Sequence, residues 1–237
     1  MEFIPACAET ETLHRLHSMI RYSQWIYDVI RPFIKGKILE IGCGIGAMTR
    51  HIIKDYSSIV SIDVNKSHIQ KMYTQFCKYP ELQIYYLDIL QDPSNILKKE
   101  MFDTILLINV LEHIEREDET LQKIYELLAP EGNSIMLVPA YQNLFGSLDE
   151  IVGHLRRYNK KLFIEKLHTF HLESFYTTYM NTLGMFGWWL NSKFLKKREF
   201  SISQIAFFEY LIPFISRIEK WIHPPFGQSI LIISRKK

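Results

Sequence analysis

The segment Leu39–Thr49 (LEIGCGIGAMT) constrains this chain more than any other. It continues a β-type run, Lys37–Ile41 (KILEI), and leads into a helical pattern over Ala47–Lys54. Glycine admits positive φ and lacks the Cβ that would hold a ligand off the backbone. A strand, a glycine turn and a helix N-terminus together make a site for an anion or a dipole. Gly42, Gly44 and Ala47 also satisfy the dinucleotide spacing G-x-G-x-x-G/A, with Asp63 at about the right distance for a ribose. The motif therefore fixes a strand–turn–helix but leaves the ligand open.

The rest of the chain continues the alternation. Strands are predicted over Ser58–Ile62, Leu82–Leu87, Phe102–Ile108 (FDTILLI) and Ser134–Val138, with helices over Ser67–Cys77 and Glu119–Leu128 between them. Ala129–Gly132 closes the second of these helices. Such alternation implies crossover connections, hence a parallel sheet covered on both faces. Ligands on such sheets bind beyond the carboxyl ends of the strands. Glu40, Asp63, Asp88 and Asn109 fall at or near those ends. One acid there could simply cap a helix; a set at successive ends is harder to dismiss. Ahead of the first strand, Glu9–Ile30 has helical apolar spacing, stopped by Pro32. After Pro139 come a polar loop, Tyr141–Tyr158, and a helix over Lys160–Phe170 with Asn159 as N-cap. A strand over Leu172–Tyr179, an aromatic, mainly helical stretch over Asn181–Trp221 and a closing strand over Ser229–Ser234 follow.

Composition narrows the classes. The 237 residues carry 28 Lys+Arg against 26 Asp+Glu, with 47% hydrophobic residues. This is a globular balance, and a charge so close to neutral does not suggest a general nucleic-acid binder. Cys7, Cys43 and Cys77 are odd in number and far apart, so neither a disulfide framework nor a metal cluster is expected. Met1–Thr10 lacks the basic start and apolar stretch of a signal peptide. Ile205–Ile215 is interrupted by Glu209 and Pro213, short of the roughly 20 apolar residues that span a bilayer. A cytoplasmic protein is expected.

Charge bears on the ligand. Glu40 shares a strand face with Ile38 and Gly42. Near a pyrophosphate its carboxylate would be repulsive; near an ammonium it would be attractive. A nucleoside with an ammonium and a carboxylate but no phosphate fits better, and S-adenosylmethionine is such a compound. At this point the chain resembles the class I S-adenosylmethionine-dependent methyltransferases. Leu39–Thr49 matches their first motif, and the likeness continues through Ile62-Asp63, Leu87-Asp88-Ile89, Phe102–Ile114 and Leu127–Val138. It covers roughly residues 35–140; beyond them, His154–Asn159 (HLRRYN) is similar to some small-molecule members.

The resemblance implies an α/β, Rossmann-like, doubly wound and mostly parallel seven-stranded sheet with an aromatic helical cover. A single domain is expected: a helical cap (1–34), a cofactor core (35–140), an acceptor loop with the cover (141–228) and a closing strand (229–237). It implies that Glu40 lies near the methionine ammonium, directly or through water, and that Gly42, Cys43 and Gly44 bring the backbone to the methionine moiety. Cys43 itself asks only for packing. Asp63 would accept from the ribose hydroxyls, Val64 would pack on adenine, and Asp88 would accept from the adenine amino group with Ile89 on the ring face. Asn109 and Val110 would border the methionine moiety and the acceptor pocket.

An acceptor hydroxyl must lose its proton, so a base is sought. His154 is the candidate, because histidine titrates near neutrality and the loop after the fifth strand lies on the ligand side. His113, Arg157 and Tyr158 are candidates for touching the acceptor, with packing the alternative for His113 and Tyr158. Arg156 and Arg157 could instead pair with Asp149 and Glu150. Asp103 reads as a solvent-facing strand start. Glu115, Glu117, Asp118 and Glu119 read as a solvated helix start rather than a metal site.

Most aromatics of Phe186–Trp221 are expected to pack on the sheet. The sharper alternative is an apolar acceptor pocket, or a membrane-surface contact through residues 186–198 with the basic Lys196-Lys197-Arg198. A small, partly apolar acceptor, modified at oxygen or nitrogen, is the partner expected; nucleic acid is not, and oligomeric state stays open. Two other functions share the fold logic. An NAD-dependent oxidoreductase is opposed by Glu40 and by the absence of a Tyr-x-x-x-Lys pair. A catalytically silent S-adenosylmethionine-binding module would keep the same motifs.

Overall fold

The computed structural model describes residues 19–92, 95–97, 100–196 and 201–237. Strands β1 (Ile38–Ile41), β2 (Ile59–Asp63), β3 (Leu82–Tyr86), β4 (Phe102–Ile108), β5 (Leu128–Pro139), β6 (Leu172–Met180) and β7 (Ser229–Lys236) form one sheet. Its order is β3-β2-β1-β4-β5-β7-β6. The first five run parallel, and β7 is antiparallel to both β5 and β6. The strand order reverses at β1 and β4, the place where open α/β sheets bind ligands.

Alternating side chains of the central strands feed two separate cores. Leu39, Ile41, Val60, Ile62, Ile105 and Leu107 join Leu121 and Ile124 of α4 (Glu117–Leu127) and Phe163 and Leu167 of α6 (Lys160–Thr169). Ile38, Ile59, Leu106, Ile135 and Leu231 face the other side. There they meet Trp25, Ile26 and Ile30 of α1 (Ile20–Ile30), Ile52 of α2 (Thr49–Ile52) and Ile69 and Met72 of α3 (Lys66–Phe76). Burial on both faces explains the uninterrupted apolar run in β4. Asn159 caps α6, accepting from the N–H groups of Lys161 and Leu162. Of the helix expected over Glu9–Ile30, the part before Met19 lies outside the described residues.

Several expectations are corrected. The Ala47–Lys54 helix shortens to α2, because the glycine turn takes up its first residues. Ala129–Gly132 does not separate α4 from its strand: β5 begins at once, and the four residues form a bulge between the pairs Phe102↔Leu128 and Thr104↔Asn133. Tyr141–Tyr158 is no open loop. It contains α5 (Ser147–Val152), whose Leu148, Ile151 and Val152 are buried at helical spacing. Asp103 does not merely face solvent; its carboxylate accepts from the Lys37 N–H at 2.8 Å and ties β4 to the entry of β1. Glu117 is buried between Arg156 (2.9 Å) and Lys166 (3.0 Å) rather than solvated.

The largest correction concerns the cover, built from α7 (Thr182–Trp189), a π-helical turn (Leu190–Phe194) and α8 (Ile202–Ile222). Its aromatics do not mostly pack on the sheet. Phe186, Trp189, Phe194, Phe207, Tyr210, Phe214 and Trp221 are exposed, and Ile212 is the buried residue of α8. Phe200 lies outside the described residues. The reason is geometric: α8 rests one face on α1 and turns the other away. Pro213 removes an N–H from α8. The carbonyl it leaves behind, that of Glu209, accepts from the Arg21 guanidinium at 3.4 Å, while the Glu209 carboxylate accepts from the N–H groups of Arg21 and Tyr22. No described helix is long and apolar enough to cross a membrane.

Candidate active site

The glycine turn sits where β1 ends. Gly42 takes φ of +69° and Gly44 of +55°. A Cβ on Gly42 would come within 2.5 Å of Val110 Cγ2, so the turn after β1 interlocks with the turn after β4. The Gly44 N–H donates to Asp63 Oδ2 at 2.8 Å. Asp63 Oδ1 accepts from the Asn65 N–H at 2.7 Å and lies 3.4 Å from His68 Nδ1. Burial alone would raise the Asp63 carboxyl; bonds from His68, Asn65 and Gly44 outweigh it and hold it below the ordinary carboxylate range.

Glu40 lies beneath this turn, 4% exposed. Its Oε2 accepts from Thr49 Oγ1 at 2.5 Å and Ser61 Oγ at 2.8 Å. Neither partner carries charge. Burial therefore wins, and the Glu40 carboxyl is pushed up to about 7.

Above Glu40 opens a cavity of about 550 Å³. Its polar floor includes Glu40, Gly42, Asn109, His113 and His154. Its upper walls are apolar, with Phe186, Leu190, Phe207, Phe208 and Leu211 from the cover.

Beside the floor is a buried network. His154 Nδ1 lies 2.7 Å from Asp149 Oδ1, which also accepts from Arg157 Nε at 2.7 Å. Asp149 Oδ2 accepts from the Trp188 indole at 3.1 Å, and the His154 ring stacks on that indole. Burial would raise Asp149; His154 and Arg157 outweigh it and lower it. Glu112 Oε1 faces His154 Nε2 at 3.7 Å, too far for a hydrogen bond. Glu112 is fully buried, neither carboxylate oxygen has a hydrogen-bond partner, and its carboxyl is pushed up to about 8 by burial. Glu112, His113 and His154 together offer one carboxylate oxygen and two ring nitrogens within 4.8 Å of one another. The buried positive charge beside it is Arg157.

Comparison with known proteins agrees with this architecture. Residues 39–134 match the sequence profile of a methyltransferase domain. A highly reducing polyketide synthase from Penicillium soppii is 30% identical to the chain over 139 residues, 52% of this chain. The chain spans only 5% of that synthase's length. Among solved structures, the N-methyltransferase NodS of Bradyrhizobium japonicum, in complex with S-adenosyl-L-homocysteine, superposes with a TM-score of 0.59 at 16% identity, covering 93% of this chain and 87% of NodS. The 1,6-didemethyltoxoflavin-N1-methyltransferase of Burkholderia thailandensis gives 0.60 at 12% identity, covering 93% and 79%. These likenesses show the class I methyltransferase fold.

The residues singled out from sequence fall into three sets. Glu40, Gly42, Cys43 and Asn109 line the cavity with His113 and His154. Gly44, Asp63, Val64, Asp88, Ile89 and Val110 do not line it. Val64 is 67% exposed at the end of β2, and Asp88 is held by the Leu90 N–H at 2.9 Å. Arg157 and Tyr158, expected at the acceptor, form the third set. Arg157 lies behind the wall, committed to Asp149 and the Ala140 carbonyl, and Tyr158 packs on Phe163 in the core. Arg156 pairs with Glu117 rather than with Asp149 or Glu150. Sequence reasoning missed Asp149 as the orienting partner of His154, and also Glu112 and Trp188. The only signal was the co-occurrence of Asp149, His154 and Arg157 in one short stretch.

Proposed function

We propose that this chain transfers the methyl group of S-adenosylmethionine to an oxygen or nitrogen of a small, partly apolar acceptor. Glu40 carries the reading: a buried carboxylate whose partners are two uncharged hydroxyls, placed under a glycine turn in a largely apolar cavity. Such a group is stabilised by a cation and destabilised by a phosphate. S-Adenosylmethionine brings an ammonium and no phosphate. The pattern of donors and acceptors around β1, β2 and the following turns fits it.

When bound, the sulfonium supplies an electrophilic methyl carbon. Glu40 holds the ammonium end. Gly42 and Gly44 let the backbone approach, and Asp63 and Asp88 offer acceptors toward the sugar and the base. Asn109 borders the junction with the acceptor. Holding the acceptor in line and excluding water can contribute about 7–11 kcal/mol in favourable cases. His154 takes the acceptor's proton. Asp149 fixes its Nδ1, which leaves Nε2, 3.7 Å from Glu112 Oε1, as the accepting nitrogen. Asp149 is thus a positioning residue, held in turn by Arg157 and Trp188.

Calorimetry with S-adenosylhomocysteine and NAD tests the cofactor. Binding of the first and not of the second is expected; tight NAD binding with none of the sulfur compounds overturns the reading. Incubating the protein with labelled methyl donor and a metabolite extract, followed by mass spectrometry, identifies the acceptor. Cofactor binding with no labelled product from any extract would favour a binding module without turnover.

A further inference from the structure

The outer face of α8 places Phe207, Tyr210, Phe214, Ile218 and Trp221 at intervals of three and four residues, one continuous stripe along the helix. All five are exposed, Trp221 to 83%. On α7 and the π-helical turn, Phe186, Trp189, Leu190 and Phe194 are exposed as well. A water-facing helix normally puts charge here.

The charges on α8 are sorted by sign. Its two carboxylates point inward. Glu209 accepts from the N–H groups of Arg21 and Tyr22 at 3.0 Å, and Glu219 from those of Asn181 (2.9 Å) and Thr182 (2.7 Å). Its cations, Arg217 and Lys220, are exposed, and Lys193 and Lys196 are exposed on the neighbouring turn. The free face is therefore apolar and cationic, with its acids withdrawn. Phe186, Leu190 and Phe207 belong at once to this face and to the cavity wall, so the cavity opens onto it.

We propose that α7 and α8 rest on an anionic lipid bilayer, and that the acceptor is an amphiphile drawn from it. Its apolar chain lies among Phe186, Phe207, Phe208 and Leu211, and its reacting atom lies near Asn109 and His154. The helices lie in the interface plane rather than crossing it, as an apolar face with basic flanks dictates. The second half rests on the methyl-transfer reading; the first does not.

The membrane half is read by co-sedimentation with vesicles of phosphatidylcholine alone or mixed with phosphatidylglycerol. Wild-type protein should pellet with the mixed vesicles and far less with the neutral ones, and added salt should release it. Phe214→Ala and Trp221→Ala should each weaken partitioning about tenfold. Arg217→Glu with Lys220→Glu should abolish the preference for anionic vesicles. S-Adenosylhomocysteine affinity, measured in parallel, should be unchanged in all of these variants. That control separates loss of the surface from loss of the fold, and it fails independently if the methyl-transfer reading is wrong. Equal pelleting of wild type and variants overturns the proposal. So does a lipid-free dimer that Phe214→Ala dissociates, since a second copy would then cover the stripe.

The acceptor half is read with a brominated long-chain alcohol, whose bromine quenches nearby tryptophan. Quenching of Trp188, seen as the difference between wild type and Trp188→Phe, is expected and should be reduced in Leu211→Phe, which narrows the cavity without adding an indole. Quenching unchanged in Leu211→Phe, or none at Trp188, overturns it.

Discussion

Asp149 Oδ1 stands 2.7 Å from both His154 Nδ1 and Arg157 Nε, so one buried oxygen fixes a ring at the cavity floor and a guanidinium behind it. The two roles separate by mutation. His154→Ala should lower kcat by about 10²–10⁴ with cofactor affinity intact, the usual range for losing a positioned base. Wild-type turnover in that variant would retire His154 as the base.

Asp149→Asn should act on stability. It leaves Arg157 charged, fully buried and facing a neutral amide. Removing one partner of a buried pair costs about 3–5 kcal/mol. Chemical denaturation should show that loss, and adding Arg157→Met to Asp149→Asn should recover part of it. If the double variant is no more stable than Asp149→Asn, the unpaired guanidinium is not the cause.

The elevated Glu40 carboxyl gives a pH signature. Its folded value of about 7 lies above the unfolded value of 4.5, so the free protein binds more protons than the unfolded chain in that window. Stability of the free protein should therefore fall as pH rises from about 5 to 7, by up to roughly 3 kcal/mol at 1.36 kcal/mol per unit. A bound ammonium favours the carboxylate, so cofactor affinity should rise with pH over the same range. At pH 6, binding should release a proton, visible as a dependence of the calorimetric heat on buffer ionisation enthalpy. Glu40→Gln should flatten both profiles; unchanged profiles would mean that Glu40 does not titrate against the ligand.

Gly42→Ala should destabilise the turn in two ways. The φ of +69° costs a residue with Cβ about 1–2 kcal/mol, and the new atom would lie 2.5 Å from Val110 Cγ2. Val110→Ala should relieve the contact but not the dihedral. The double variant should therefore melt between Gly42→Ala and wild type. Full recovery would assign the whole effect to crowding.

The glycine turn, the four central apolar strands and the acids at their ends were legible in the sequence because each depends on local spacing. Phe102–Ile108 has the same limits as strand and as expectation. For Arg157 and Tyr158 the sequence left acceptor contact open beside pairing and packing, and the structure takes the second for both: Arg157 pairs with Asp149 and Tyr158 packs on Phe163. Both sit in a stretch rich in chemistry, yet the bridge from Ala140 to Tyr158 tucks that stretch against the sheet end and turns them into the core. The exposed aromatics were misread for a related reason. Apolar composition reports what a helix could bury, while the neighbouring elements decide how many of its faces are covered; α1 covers one face of α8.

The attachment of α7 to α8 can be tested through Glu219, whose two oxygens accept from the first backbone donors of α7, Asn181 and Thr182. Those N–H groups have no partner within α7, since a helix leaves its first donors unsatisfied. Glu219→Ala strands both, at about 1–3 kcal/mol for each buried donor left unpaired. The cost falls on the cover, because the sheet makes none of these bonds. Hydrogen exchange at Asn181 and Thr182 should accelerate sharply, while amides of β1 and β4 keep their protection. Glu219→Gln retains one accepting oxygen but turns an amide donor toward the other N–H, so its exchange should be intermediate. Equal acceleration across the sheet would mean that α7 and α8 are cooperative with the core rather than a separately hinged cover.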